Sequence, residues 1–232
     1  MENQQPTRQI ILTSDGSHTL FVPLLGEHYH SIHGAIQESR HVFIQTGLGP
    51  LNAPKCIKIL EIGFGTGLNA LLAMQFAHQH QIEILFTTIE KYPLRKDEFS
   101  QLNYGSVLGE EWIPYFQQLH ECPWEQLVPI SEAFSIQKIR ADLLTASFIE
   151  TYQIVFFDAF GPDKQPDLWT VTVFEKLYKS LEKQGVLVTY SAKGQVRRNL
   201  KAAGFEVERL PGPPGKREML RATKKLNEWG NG

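Results

Sequence analysis

Hydrophobic and polar positions follow two alternating periods along the chain. Short apolar runs bounded by Gly, Pro and Asp read as strands; longer segments with apolar positions three and four apart read as helices. Ile10 to Thr13 and Thr19 to Val22 flank Ser14-Asp15-Gly16-Ser17, and an Asp-Gly turn between such runs predicts a hairpin. Tyr29 to Leu48 carries a loose stripe (Ile32, Ala35, Ile36, Val42, Phe43, Ile44) and stops at Gly47 and Gly49-Pro50, which predicts a helix. Strand Cys56 to Leu60, helix Leu68 to Ala77 and strand Ile82 to Ile89 follow. Residues 94–127 read as helical, cut into pieces by Pro114 and Pro123. Strands Phe134 to Ile139, Ile154 to Phe157 and Gly185 to Tyr190 come next. A helix opens at Asp167-Leu168-Trp169 and runs to about Leu181. Gln195 to Ala203 is a last helix, and Phe205 to Leu210 and Glu218 to Thr223 form an antiparallel pair around Pro211-Gly212-Pro213-Pro214-Gly215. This alternation predicts an α/β domain over 51–232, with 1–50 as a hairpin-and-helix extension and residues 1–7 disordered.

The run Ile59-Leu60-Glu61-Ile62-Gly63-Phe64-Gly65-Thr66-Gly67-Leu68-Asn69 is a strand, a tight turn and a helix start. Its glycines permit positive φ and close approach of a ligand. A dinucleotide fingerprint needs a last glycine where Leu68 stands. The pattern E-x-G-x-G-x-G instead resembles motif I of the class I S-adenosylmethionine-dependent methyltransferases; a generic strand-to-helix turn is the alternative. The resemblance implies a cofactor site of Glu61, Gly63, Phe64, Gly65, Thr66, Gly67 and Asn69, in a Rossmann-like, mostly parallel seven-stranded sheet with an antiparallel last strand.

Strand ends supply the other candidates. Glu90 ends the second strand some twenty residues beyond the glycines, the expected reach for ribose hydroxyls; a solvated strand-end carboxylate is the alternative. Asp142, after the third strand, is a candidate for the adenine amino group or a helix cap before Leu143. Asp158 ends the apolar fourth strand beside the cofactor crevice, and Phe160 can stack on a planar substrate or pack in the core. His28, His30 and His33 lack a Cys or carboxylate at ligand spacing, so no metal site is expected.

Composition narrows the class. No apolar run approaches the roughly 18 residues of a membrane span, the first residues lack a secretory pattern, and Cys56 and Cys122 make no disulfide framework. A cytoplasmic protein is expected. Net charge is −2, but residues 191–225 hold ten Lys/Arg and three acids, so that segment carries +7 and the rest −9. Such a basic surface suits a phosphate backbone; an ordinary solvated helix and strand pair is the alternative.

Four stretches together resemble the tRNA 5-methylaminomethyl-uridine methyltransferases, a family that includes the methyltransferase half of bifunctional MnmC and the stand-alone MnmD. They are Asp15-Gly16-Ser17 with Tyr29-His30-Ser31 and Gly34-Ala35; Gly63 to Asn69; Asp158-Ala159-Phe160 through Pro166-Asp167-Leu168-Trp169; and Gly215-Lys216-Arg217-Glu218-Met219-Leu220. The resemblance implies methyl transfer from S-adenosylmethionine to the 5-aminomethyl group of (2-thio)uridine at the tRNA wobble position, giving 5-methylaminomethyl-uridine. It implies Asp158 as the catalytic carboxylate. Tyr29, His30, Ser31, Phe160 and Trp169 are the implied substrate contacts, with Lys216 and Arg217 on anticodon stem-loop phosphates; core packing is the alternative for Trp169, and a loop-solubilising pair for Lys216 and Arg217. No second G-x-G-x-x-G or flavin-sized domain follows, so neither FAD nor the oxidative step of the bifunctional form is expected. Rival readings are a small-molecule or protein N-methyltransferase, an aminopropyltransferase, and a degenerate methyltransferase fold serving as an RNA-binding module.

Overall fold

The computed structural model describes residues 7–51 and 55–225. Apart from Thr7, the expected N-terminal disorder falls outside them. The chain begins with β1 (Gln9–Leu12), β2 (His18–Val22) and β3 (Glu27–His28), a small antiparallel sheet of its own. The hairpin turns where expected, with Gly16 at φ 82. Asp15 fastens it: Oδ1 accepts from the Ser17 and Thr13 hydroxyls, and Oδ2 from the Gln37 N–H at 2.9 Å.

The helix expected from Tyr29 begins only at α1 (Ala35–Ser39) and continues as a π-helical stretch, Arg40–Leu48. Gly34, at φ 146, cannot belong to a helix, so residues 29–34 form a loop. The wider winding also explains the loose apolar stripe, because a π-helix does not repeat every 3.6 residues. Gly47 lies so close to the sheet that a Cβ there would stand 2.8 Å from Ile154 Cδ1.

The main sheet has eight strands, in the order β10-β11-β9-β8-β4-β5-β7-β6. These are β4 (Cys56–Ile62), β5 (Glu83–Ile89), β6 (Leu127–Ser131), β7 (Phe134–Ile139), β8 (Tyr152–Phe157), β9 (Leu181–Thr189), β10 (Phe205–Pro211) and β11 (Glu218–Lys224). Strands β7, β5, β4, β8 and β9 are parallel, and β11 inserts antiparallel beside β9. Strand β6 is the departure from the expected seven: it pairs antiparallel with β7, at the end of the region read as helical. Its Pro129 obscures the strand pattern and is tolerated because β6 is an edge strand. After the short helices α3 (Lys96–Phe99) and α4 (Tyr104–Leu108), Pro114 opens a helix rather than breaking one, standing in the first turn of α5 (Ile113–Glu121).

Helices cover both faces. Ile59, Ile154, Phe156 and Val188 face α2 (Leu68–His80) and the π-helical stretch. Leu60, Val155, Phe157 and Leu187 face α6 (Val171–Ser180) and α7 (Gly194–Ala202). Leu20, Ala35 and Phe43 join the first cluster, so the N-terminal extension shares the core of the sheet. Strand order reverses between β4 and β8, which opens a crevice at their carboxyl ends. Among the described residues no helix is long and apolar enough to cross a membrane.

Candidate active site

The crevice is a cleft of about 1000 Å³, lined by the carboxyl ends of β4, β5, β7, β8 and β9 and roofed by loop 29–34. The strand ends are locked together: Gly63 N–H donates to Ile89 O at 2.9 Å, and Asp158 N–H to Ile62 O at 3.0 Å. Gly63, Gly65 and Gly67 have φ of 92, 48 and 74. Gly67 stands at the start of α2, whose first N–H groups point toward the turn. The turn is tightly used. A Cβ on Gly63 would lie 3.0 Å from the Asp158 carbonyl oxygen, and one on Gly65 would lie 3.0 Å from the Tyr29 ring.

Glu90 lines the cleft beside the turn, accepting from Gly65 N–H at 3.0 Å and Tyr92 N–H at 2.7 Å. Two bonds leave a carboxylate free lone pairs for a hydroxyl pair. Asp142 caps a turn, not a helix, accepting from Leu144 N–H at 2.9 Å. Lys91 pairs with it at 2.8 Å and, with that N–H, holds its carboxyl below the usual range. Between these acids, Ile62, Ile89, Ala141 and Leu143 give the cleft an apolar wall. A glycine turn, a free-sided carboxylate and an apolar wall fit a nucleoside carrying an amino-acid tail.

At the other end stands Asp158, with Oδ2 accepting from Asn69 Nδ2 at 2.7 Å. Burial pushes its carboxyl up to about 7; the Asn69 bond opposes the rise, nearby Glu38 adds to it, and Lys216 opposes it. Phe160 and Tyr29 meet edge to face at 4.9 Å beside it. The Phe160 backbone is pinned by Gln165 Oε1, which accepts its N–H, and by Trp169 Nε1–H, which donates to its carbonyl at 2.9 Å. Tyr29 OH accepts from Arg8 Nε at 2.9 Å, and Arg8 grips Glu98 through both carboxylate oxygens. Burial drives the Tyr29 hydroxyl to about 12, so it stays neutral.

The sequence-predicted residues divide. Gly63, Phe64, Gly65, Thr66, Glu90, Asp142, Asp158, Tyr29, His30, Ser31, Phe160 and Lys216 line the cleft. Glu61, Gly67, Asn69, Trp169 and Arg217 do not. Glu61 is fully buried on β4, with Thr88 Oγ1–H donating to Oε2 at 2.7 Å. Burial raises its carboxyl well above the usual value, which favours the protonated form. Its Oε1 and Asn69 Oδ1 are both buried without a partner, and a carboxyl proton on Glu61 gives Asn69 a donor. Glu61 thus supports Asn69, which in turn holds Asp158. Trp169 is core, 2% exposed, and reaches the cleft through Phe160 and through its edge-to-face contact with Tyr190. His30 is buried, shares a 2.7 Å hydrogen bond with Thr66 Oγ1, and is held neutral by burial, near 4. His28 packs on Phe21 and His33 lies against Gly215; among the described residues no group of three or more ligand side chains is placed for a metal.

Lys216 and Arg217, adjacent in sequence, point apart. Arg217 is exposed. Lys216 turns inward, its ammonium 2.5 Å from Glu38 Oε2 and 3.9 Å from the centre of the Tyr190 ring. Tyr190, Glu38 and Arg8 are cleft residues that sequence reasoning missed. Tyr190 follows β9, so the strand-end rule that found Asp158 and Glu90 reaches it. Glu38 and Arg8 carry no local signal, because their partners lie 178 and 90 residues away.

Comparison with known proteins fits this geometry. Residues 111–225 match a family described as S-adenosyl-L-methionine-dependent methyltransferase. The tRNA 5-methylaminomethyl-2-thiouridine biosynthesis bifunctional protein MnmC of Cupriavidus metallidurans is 32% identical over 91% of this chain and 33% of its own length. That of Pseudomonas aeruginosa is 34% identical over 85% of this chain and 32% of its own. The chain therefore spans about a third of the length of the curated relatives it matches. The crystal structure of MnmC2 from Aquifex aeolicus superposes with a TM-score of 0.78 at 27% identity, covering 96% of this chain and 72% of that one.

Proposed function

We infer that the chain is an S-adenosyl-L-methionine-dependent methyltransferase similar to the MnmC proteins, and propose that it methylates the 5-aminomethyl group of (2-thio)uridine at the tRNA wobble position. The observation that carries the proposal is the two-ended cleft: a glycine turn with Glu90 at one end, and Asp158 with the aromatic residues Phe160 and Tyr29 at the other. The cofactor supplies a methyl group already activated on a sulfonium. Gly63 to Gly67 would take its amino-acid end, Glu90 its ribose hydroxyls, and Asp142 with Leu143 its base.

The acceptor is a primary aliphatic amine. With a pKa somewhat below lysine's reference of about 10.4, it is mostly protonated at pH 7 and has no lone pair to donate. An ordinary aspartate, near 3.9, is a poor base for it. Asp158, lifted to about 7, is far better matched to take or share that proton. Its Asn69 bond fixes which oxygen stays free. A free face of Phe160 or Tyr29 would stack on a base flipped out of the anticodon loop, where unpaired bases are open to stacking. Arg217 and the exposed Arg198 and Lys201 would meet phosphates, and the protein would stay in the cytoplasm with its tRNA.

The test is methyl transfer from labelled S-adenosylmethionine to two tRNA pools, one with 5-aminomethyl-uridine at the wobble position and one with unmodified uridine. Incorporation into the first alone, with 5-methylaminomethyl-uridine identified by mass spectrometry, is the expected result. Incorporation into both, or into neither, defeats the proposal.

A further inference from the structure

The acceptor end of the cleft holds a positive charge that the chemistry above leaves without a role. Lys216 follows Gly215, whose φ of 84 sharpens the turn after β10 and helps aim the side chain inward. Its ammonium meets Glu38 at 2.5 Å and the face of Tyr190 at 3.9 Å. Glu38 is 5% exposed and is also held by Ser31 N–H, at 2.9 Å to Oε1. Tyr190 is fixed in turn, donating its hydroxyl to Ala159 O at 2.9 Å, one residue from Asp158. Two carboxylates and one lysine therefore share the space that an incoming amine must enter.

Charge decides whether such an amine can react. A carboxylate within about 4–6 Å of an amine favours its protonated form, by about 1–3 pKa units. Two unpaired carboxylates would trap the acceptor as an ammonium. One already paired with a lysine exerts little net pull.

We propose that Lys216 is a positioning residue that cancels the charge of Glu38, so that of these two carboxylates only Asp158 meets the substrate amine unpaired. This rests on the amine-methylation reading above. Lys216 is then no phosphate contact: it is spent inside the cleft, on the protonation state of the acceptor. The charged and titratable groups around it come from every neighbouring element. Glu38 comes from α1, Tyr190 from the end of β9, Asp158 from the end of β8, and neutral His30 from the roofing loop. Glu27 of β3 and Lys164 after β8 line the same cleft with opposite charges.

The test is the pH profile of kcat on 5-aminomethyl-uridine tRNA, since kcat reports ionisations of the bound complex. Lys216→Met should move the acidic limb up by about one pH unit, a loss of about ten-fold near pH 7. Glu38→Gln, which leaves the lysine uncompensated, should move the limb down. The double variant should return close to wild type, and Lys216→Arg should keep the wild-type profile. A merely structural contact cannot give opposite shifts that cancel in the double variant. If Lys216→Met does not fold, as judged by calorimetric cofactor binding, the downward shift in Glu38→Gln carries the test alone. An unmoved limb in a folded Lys216→Met, or an upward shift in Glu38→Gln, overturns the inference while the substrate reading stands. No turnover by the wild-type protein overturns both.

Discussion

At the scale of single residues the site is a set of carboxyl groups forced to different protonation states by their surroundings. Burial in β4 pushes Glu61 toward its protonated form, and burial at the cleft floor lifts Asp158 to about 7. A glutamine mimics a neutral acid, so Glu61→Gln should keep the chain from Thr88 through Asn69 to Asp158 and most of the activity. Glu61→Ala strands two buried polar groups and should cost about 2–3 kcal/mol in chemical denaturation, with a large loss of rate. Asp158 also makes stability depend on pH. Its carboxyl is higher in the folded state, so its contribution is full below about 3.9 and is lost as pH rises through about 7. Asn does not ionise. The melting temperature of Asp158→Asn relative to wild type should therefore climb between pH 4 and 8, a gain in stability at the expense of function. His30 and His120 act oppositely: burial holds them near 4 and 3, so the stability they favour is lost as pH falls from about 6.5.

At the scale of elements the site depends on strand ends meeting at one edge. Gly63 is one such junction, where β4 turns directly against the Asp158 carbonyl. Gly63→Ala combines a strained positive φ with that contact. It should cost about 2 kcal/mol, a fall of about 4–8 °C in melting temperature, and should lower kcat by displacing Asp158. Much of this was legible beforehand. Apolar runs with glycine or acid at their ends gave β4, β5, β7 and β8 within a residue or two, and with them Gly63, Glu90, Asp142 and Asp158. What was hidden is non-local. The loop 29–34 read as helix because its residues are helix-compatible, and only Gly34 at φ 146, packed against Asp15, forbids it. Glu61 and Trp169 belong to the right motifs but point away from the cleft, since a motif gives the backbone position and packing gives the direction.

At the scale of the whole molecule the charge split of +7 and −9 is only partly a surface feature. Lys193 pairs with Asp163, Arg209 with Glu218 at 3.5 Å and Lys216 with Glu38, which removes three of the basic segment's cations from the count available to RNA. Arg217 remains exposed. Arg217→Ala should weaken tRNA binding uniformly across sequences and flatten the salt dependence by about one unit of slope. The central claim, that this cleft methylates an amine with Asp158 beside it, is tested most directly by one measurement. That is single-turnover methyl transfer to 5-aminomethyl-uridine tRNA by wild type and Asp158→Asn, with cofactor affinity determined on the same preparations. The account predicts near-equal cofactor affinity and a transfer rate lower by about 10²–10⁴-fold in the variant. A variant that binds the cofactor and transfers methyl at the wild-type rate would contradict it.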